Sequence, residues 1–162
     1  MRKLTIGLAA ALILAAAPAL ALEVTATKTI SAQAGAVWTA MGDFCGVADW
    51  HPVIEKCALS VDKKREVRTL SLKGGGTIVE KLGARDAEAM TYLYVLLSGP
   101  LPVAQYRSSI SVAPSKDGAA AVVTWKGRFN PAKGKTAKEA KETIAAVYAA
   151  GLDGLEKRVL AK

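Results

Sequence analysis

The sequence predicts an α+β fold: a curling sheet of seven antiparallel strands covered by one long C-terminal helix, with two short helices after the first strand. Three observations carry this. Apolar and polar residues alternate with a period of two in successive segments between Val53 and Phe129, each bounded by turn residues. Thr136-Ala-Lys-Glu139 forms a capping box at the head of a segment with apolar residues at helical spacing. Between the opening strand and the sheet, Asp43–Cys57 (DFCGVADWHPVIEKC) holds both cysteines, the only histidine and one of three tryptophans. No single regular element can contain that stretch. Gly42 and Gly46 punctuate it, and Pro52 pushes His51 toward extended backbone.

In chain order, Leu22–Ile30 alternates Val24, Ala26 and Lys28 against Glu23, Thr25 and Thr27, and reads as the opening strand. Ser31 is the expected N-cap of a short helix. Its apolar face is Ala34, Val37, Trp38 and Met41, spaced i, i+3, i+4 and i+7. The Asp43–Cys57 corner then brings a helix end near Phe44, one helical turn and a strand from about Val53. On that strand Cys57, Leu59 and Val61 share a face, and Asp62–Arg65 turns the chain.

Val67–Leu72 and Thr77–Leu82 flank Lys73-Gly74-Gly75-Gly76, a strong hairpin signal. A half-buried hairpin must keep its apolar side chains on one face, so Leu70 pairs with Ile78. That register implies a loop of about three residues with a left-handed glycine, and sets Arg68 opposite Glu80. Arg85–Glu88 is the next turn. Met90–Leu97 is apolar on both faces and reads as a central strand. Pro100 and Pro102 exclude Ser98–Pro102 from strand interior. The last two strands, Ala104–Val112 and Ala121–Phe129, each alternate dry and wet faces across a turn at Pro114–Gly118. The final helix runs about 25 residues, roughly 37 Å at 1.5 Å per residue. Its stripe is Ala140, Ile144, Val147, Tyr148, Gly151, Leu152, Leu155 and Val159. A glycine such as Gly151 on that stripe lets a neighbour come close. A sheet with one dry face needs a cover, and only this helix is long enough.

The first residues read as an address. Met1-Arg2-Lys3 is a charged start, Leu4–Ala17 an apolar run and Ala19-Leu20-Ala21 a small-x-small site, so residues 1–21 read as a secretory signal peptide cleaved after Ala21. One domain, 22–162, remains, and a periplasmic location is expected. The whole chain carries 22 basic and 14 acidic side chains, net +8; without Arg2 and Lys3 the count is 20 against 14, net +6. The cations do not interleave with aromatics, which argues against nucleic acid and leaves room for weak attraction to an anionic membrane surface. Two cysteines in an exported chain point to a Cys45–Cys57 disulfide. One histidine and two cysteines are too few for a metal site. Cofactor fingerprints and nucleophile motifs are missing, and no cofactor is expected; Gly74-Gly75-Gly76 lacks the following helix that a phosphate loop needs.

The order strand, short helices, six strands, long helix resembles the helix-grip superfamily, called SRPBCC or START-like. Within it the chain resembles the small exported bacterial branch of the polyketide cyclase/dehydrase and lipid-transport family. The residues that carry the resemblance are Trp38, Gly42-Asp43-Phe44, Trp50-His51-Pro52, Val67-Arg68, Glu80-Lys81-Leu82, Tyr92-x-Tyr94, Gly99–Val103, Tyr106 and Trp125-x-Gly127-x-Phe129. It implies a sheet gripping the C-terminal helix, with a cavity between them for a hydrophobic ligand. Fold alone does not imply a reaction.

Candidate site residues follow from phase and chemistry. Glu80 falls in phase with Ile78 and Leu82 on the dry face, where a carboxylate must be paired or face a cavity; Arg68 is its partner by register. The pair either lines the cavity or forms a structural ion pair at the sheet's rim. His51 is a candidate general base at the cavity mouth, or else caps a turn. Trp38, Trp50, Tyr92, Tyr94, Tyr106, Trp125 and Tyr148 are candidate apolar walls with a polar handle, or core. Three functions are open at this point. The first is a periplasmic carrier or binding protein for a small hydrophobic or amphipathic ligand. The second is a cyclase/dehydratase-like enzyme using Glu80 or His51. The third is an accessory protein to a periplasmic oxidation system, without a ligand.

Overall fold

A computed structural model describes residues 21–161. The leader read over residues 1–21 therefore lies outside the described residues, save Ala21. The elements are β1 (Leu22–Ile30), α1 (Ala34–Met41), α2 (Val47–Trp50), β2 (Ile54–Asp62), β3 (Arg65–Leu72), β4 (Thr77–Asp86), β5 (Thr91–Ser98), β6 (Val103–Pro114), β7 (Ala121–Pro131) and α3 (Ala137–Leu160). The seven strands form one antiparallel sheet in the order β1-β7-β6-β5-β4-β3-β2. Consecutive strands are neighbours except that β1 crosses to close on β7. The sheet curls around α3, which supplies Ala140, Ile144, Tyr148, Gly151, Leu152 and Leu155 to the core. Thr136 caps that helix by accepting a hydrogen bond from the Glu139 amide, as the capping box requires. Lys28 on β1 ties the sheet edge to α3 through Asp153 at 2.6 Å and Glu156 at 2.7 Å.

The β3–β4 hairpin adopts the expected register: Leu70 pairs with Ile78 and Arg68 with Glu80. The Leu72 amide bonds the Gly76 carbonyl, which leaves a three-residue loop, and Gly74, Gly75 and Gly76 all hold positive φ. Elsewhere the structure departs from expectation. Ser31 does not cap α1; Gln33 takes the N-cap position without a side-chain bond, because a tight turn from Ile30 to Ala32 uses up Ser31. The helix ends at Met41, earlier than Phe44. Leu59 and Val61 are exposed, since the far half of β2 is a sheet edge beyond the reach of α3. β5 is central, fourth of seven, yet Leu93, Val95 and Leu97 on its outer face are uncovered.

Cys45 and Cys57 form a disulfide with a Cα–Cα distance of 5.6 Å. It joins the loop after α1 to β2 and closes the corner on which His51 sits. The bond is consistent with an oxidising, secreted location. Closing a loop of 12 residues' separation restricts the unfolded chain by about 3 kcal/mol in the chain-entropy model. Reduction, or Cys45→Ser with Cys57→Ser, is therefore expected to lower the denaturation free energy by about that amount. Urea unfolding with and without reductant measures it.

Candidate functional site

The hollow of the fold is a cavity of about 190 Å³ between the inner face of the sheet and α3. Its floor is the β3–β4 hairpin: Leu70, Leu72 and Ile78, with Arg68 and Glu80 at the deep end. The corner supplies Val47, His51, Val53 and Ile54; α3 supplies Val147. Tyr94, Tyr106 and Trp125 come from β5, β6 and β7, and Leu101 from the proline-flanked loop before β6. Val53 is exposed and Leu72, Leu101 and Val147 half-buried, so these four apolar side chains ring the mouth. A larger groove of about 710 Å³ runs outside, between α3 and the corner. It is open to solvent and spanned by the Arg158–Asp49 ion pair at 3.2 Å, so it is a surface feature.

Arg68 and Glu80 are buried, 1% and 5% exposed, and joined at 2.7 Å from Nε to Oε2. The pair is interior and lines the cavity, which removes the reading of a rim ion pair. Arg68 also donates through Nη1 to the Phe44 carbonyl, and its guanidinium lies 4.1 Å from the Phe44 ring centre and 5.0 Å from that of Tyr94. Burial, the largest influence, pulls its pKa down, but the charge and hydrogen bond of Glu80 together with Tyr92 and Tyr94 outweigh it, and the net shift is upward. The guanidinium is thus held charged by its carboxylate, its carbonyl and two ring faces.

Beside this pair runs a chain of hydroxyls whose proton order is fixed by one carbonyl. Ser108 Oγ lies 2.8 Å from the Lys126 carbonyl, which can only accept, so Ser108 donates there. Tyr148 must then donate to Ser108 at 2.9 Å, and Tyr106 to Tyr148. The Trp125 indole N–H donates to Tyr94 at 2.9 Å and to Ser108 at 3.1 Å. The Tyr94 proton is left with only the Tyr106 oxygen at 3.5 Å, beyond the usual range of about 2.5–3.0 Å for O–H···O. Tyr94 lines the cavity, so its O–H is the donor that a bound molecule can use. Burial raises the Tyr94 and Tyr106 pKa well above ordinary, and pushes Tyr148 up to about 12, so the phenols stay protonated donors.

His51 is tethered. Its Nε2 lies 3.1 Å from the Val147 carbonyl oxygen, so the proton sits on Nε2, and Nδ1 faces the Val53 amide at 3.5 Å. Its ring stands edge-on to Trp125 with centroids 6.1 Å apart. Burial lowers its pKa, the nearby Arg68 charge adds to this, and the Val147 bond works in the opposite direction. The folded chain therefore resists a proton that the unfolded chain accepts from pH 6.5 downward. The contribution is intact above that pH and is lost as pH falls toward the depressed folded-state pKa. We expect stability to drop as pH falls below 6.5, by at most about 1.4 kcal/mol per pH unit. His51→Gln, which keeps a donor for Val147, should flatten that segment in thermal melts taken across the range.

Of the residues singled out from the sequence, His51, Arg68, Glu80, Tyr94, Tyr106 and Trp125 meet at the cavity. Trp38, Trp50, Tyr92 and Tyr148 stand behind its wall. Trp38 packs under the Arg85 guanidinium at 4.4 Å and beside Tyr92. Tyr92 packs edge-on to Phe44. Trp50 donates its indole N–H to the Met41 carbonyl. Tyr148 stacks on Trp125 with centroids 4.6 Å apart. Sequence reasoning passed over the apolar lining, including Val47, Val53, Ile54, Leu72 and Leu101. In a sequence such residues look like any core residue; the two prolines around Leu101 were the one signal that could have drawn notice.

The model of the family described as polyketide cyclase/dehydrase and lipid transport matches residues 21–160. Among solved structures, the protein XoxI from Bacillus cereus is 30% identical, over 85% of this chain and 95% of that one, with a TM-score of 0.79. An uncharacterised protein from Bacillus thuringiensis is 29% identical, over 86% of this chain and 99% of that one, also at 0.79. The Zhui aromatase/cyclase from Streptomyces sp. R1128 is 21% identical, over 87% and 92%, at 0.65, a likeness of fold alone. Among curated proteins, none matches.

Proposed function

The chain belongs to the polyketide cyclase/dehydrase and lipid-transport family, and from that premise we propose that it binds a compact apolar molecule in the cavity under α3, as a carrier or receptor in the periplasm. The observation that carries this is the cavity's composition: apolar walls and mouth, with the polar groups at one end already engaged by the protein. Among the described residues, the Tyr94 O–H is a donor left without a close partner for an incoming oxygen. The charges of Arg68 and Glu80 cancel each other, which suits a neutral ligand. Size limits it further. Ligand sites for drug-sized molecules run about 300–1,000 Å³, so 190 Å³ suits a single ring or a short branched chain. The disulfide supports the oxidising compartment.

Titration of isotope-labelled protein with small phenols, alcohols and ketones tests this. Saturable shifts at the amides of Ile54, Leu101 and Val147, abolished by Val53→Trp at the mouth, are expected. No saturable shift from any probe would count against a ligand-binding role.

A second reading, a cyclase/dehydratase-like reaction, is favoured by one observation: Glu80 and His51 open into the same cavity. Against it stand their engagements, Glu80 Oε2 with Arg68 and His51 Nε2 with the Val147 carbonyl. A general base needs a free lone pair within reach of its proton. Turnover of a small polycarbonyl compound that His51→Gln abolishes would shift the balance to this reading.

A further inference from the structure

The outer face of the sheet breaks the rule that an exposed antiparallel face is polar. Leu93, Val95 and Leu97 project from β5 at 48%, 37% and 52% exposure. Beside them the register stacks cations. Val95 pairs with Arg107, Arg107 directly with Arg128, and Ser109 beyond Leu93 with Lys126. Like charges directly opposite on a sheet destabilise it. Among the described residues neither arginine has a carboxylate partner within ion-pair range; Glu23, opposite Arg128, reaches Lys126 instead at 3.5 Å. Between the apolar strand and the cations lies a groove of about 300 Å³. It lies beside a bulge in β4 at Gly83, where an added Cβ would sit 3.3 Å from the Leu93 carbonyl oxygen.

We propose that this groove is the docking surface for a second protein that presents an apolar side chain flanked by carboxylates. Charge complementarity sets the sign of the partner. The arginine pair sets its chemistry, since guanidinium forks bind carboxylates in a bidentate manner and arginine is enriched at protein interfaces. Shape decides against a bilayer. A surface that enters a membrane projects its apolar groups, whereas here Leu93 and Val95 line a groove together with the longer Arg107, Lys126 and Arg128 side chains. The groove receives a side chain; it does not insert one. A second copy of this chain would bring the same cations to the contact.

A photo-crosslinking residue at Leu93, in the full chain expressed in its own host, tests this, with the same residue at Thr27 on the outer face of β1 as control. The expected result is one discrete protein adduct from Leu93 and none from Thr27. The purified partner should bind the unmodified chain, and binding should weaken at least tenfold in the Arg107→Glu, Arg128→Glu double variant at unchanged melting temperature. An adduct to lipid, to the chain itself or to a second copy would overturn the proposal, as would equal labelling at Thr27, no adduct, or binding indifferent to the charge reversal.

Discussion

Glu80→Leu or Arg68→Met alone is expected to cost about 3–5 kcal/mol, the loss typical of leaving one member of a buried ion pair without the other. Both groups lie away from water and their 2.7 Å bond crosses adjacent strands. The two substitutions together should cost far less than their sum, because an apolar pair leaves no charge to desolvate. The single variants should also differ in pH dependence. In Arg68→Met the Glu80 carboxylate is buried unpaired, so its folded-state pKa rises above the unfolded value. Stability should then be greatest at low pH and fall as pH rises through that raised pKa. Glu80→Leu leaves a guanidinium that does not titrate, and should show no such trend. Urea denaturation of the three variants between pH 4 and 8 decides this. A sum that is simply additive would mean that the pair is not coupled as the structure has it.

Gly154→Ala is expected to be nearly as damaging. A Cβ at this position would lie 1.9 Å from the Trp50 carbonyl oxygen, a backbone atom of the corner that cannot swing aside. Overpacking of this kind costs about 1–3 kcal/mol, occasionally more, against at most about 1 kcal/mol gained in helix propensity. Relief would lift the corner from α3 and carry His51 off the Val147 carbonyl, so probe binding in the cavity should weaken as well. Gly35→Ala on α1 is the control: nothing lies within 4 Å of the added Cβ, and stability should hold or rise. Circular dichroism melts of both variants test the contrast. Equal effects would show that helix propensity alone is being measured.

The sequence spoke most clearly where one physical rule had one solution. Alternation on both arms of the Lys73–Gly76 hairpin left a single register that buried Leu70 and Ile78 together, and Arg68 facing Glu80 followed from it. The cysteine pair followed from compartment and spacing, and the start of α3 from Thr136 and Glu139. What stayed hidden depends on distant contacts. Whether an apolar side chain such as Leu72 or Tyr92 lines a hollow or fills the core depends on how far α3 stands from the sheet. That distance is set by Gly151 and Gly154 meeting Trp125, His51 and Trp50. The free donor of Tyr94 depends on a chain of four hydroxyls drawn from β5, β6 and α3, which no local pattern encodes. The apolar phase of β5 was visible, but not that its outer half would face solvent.

Native mass spectrometry of the chain purified from its own host, without denaturation, tests the binding role most directly. The expected spectrum shows the disulfide-bonded chain carrying one small neutral molecule, displaced by an apolar probe and missing from Val53→Trp. A spectrum with only the bare polypeptide, in a protein that also takes up no apolar probe, would contradict it.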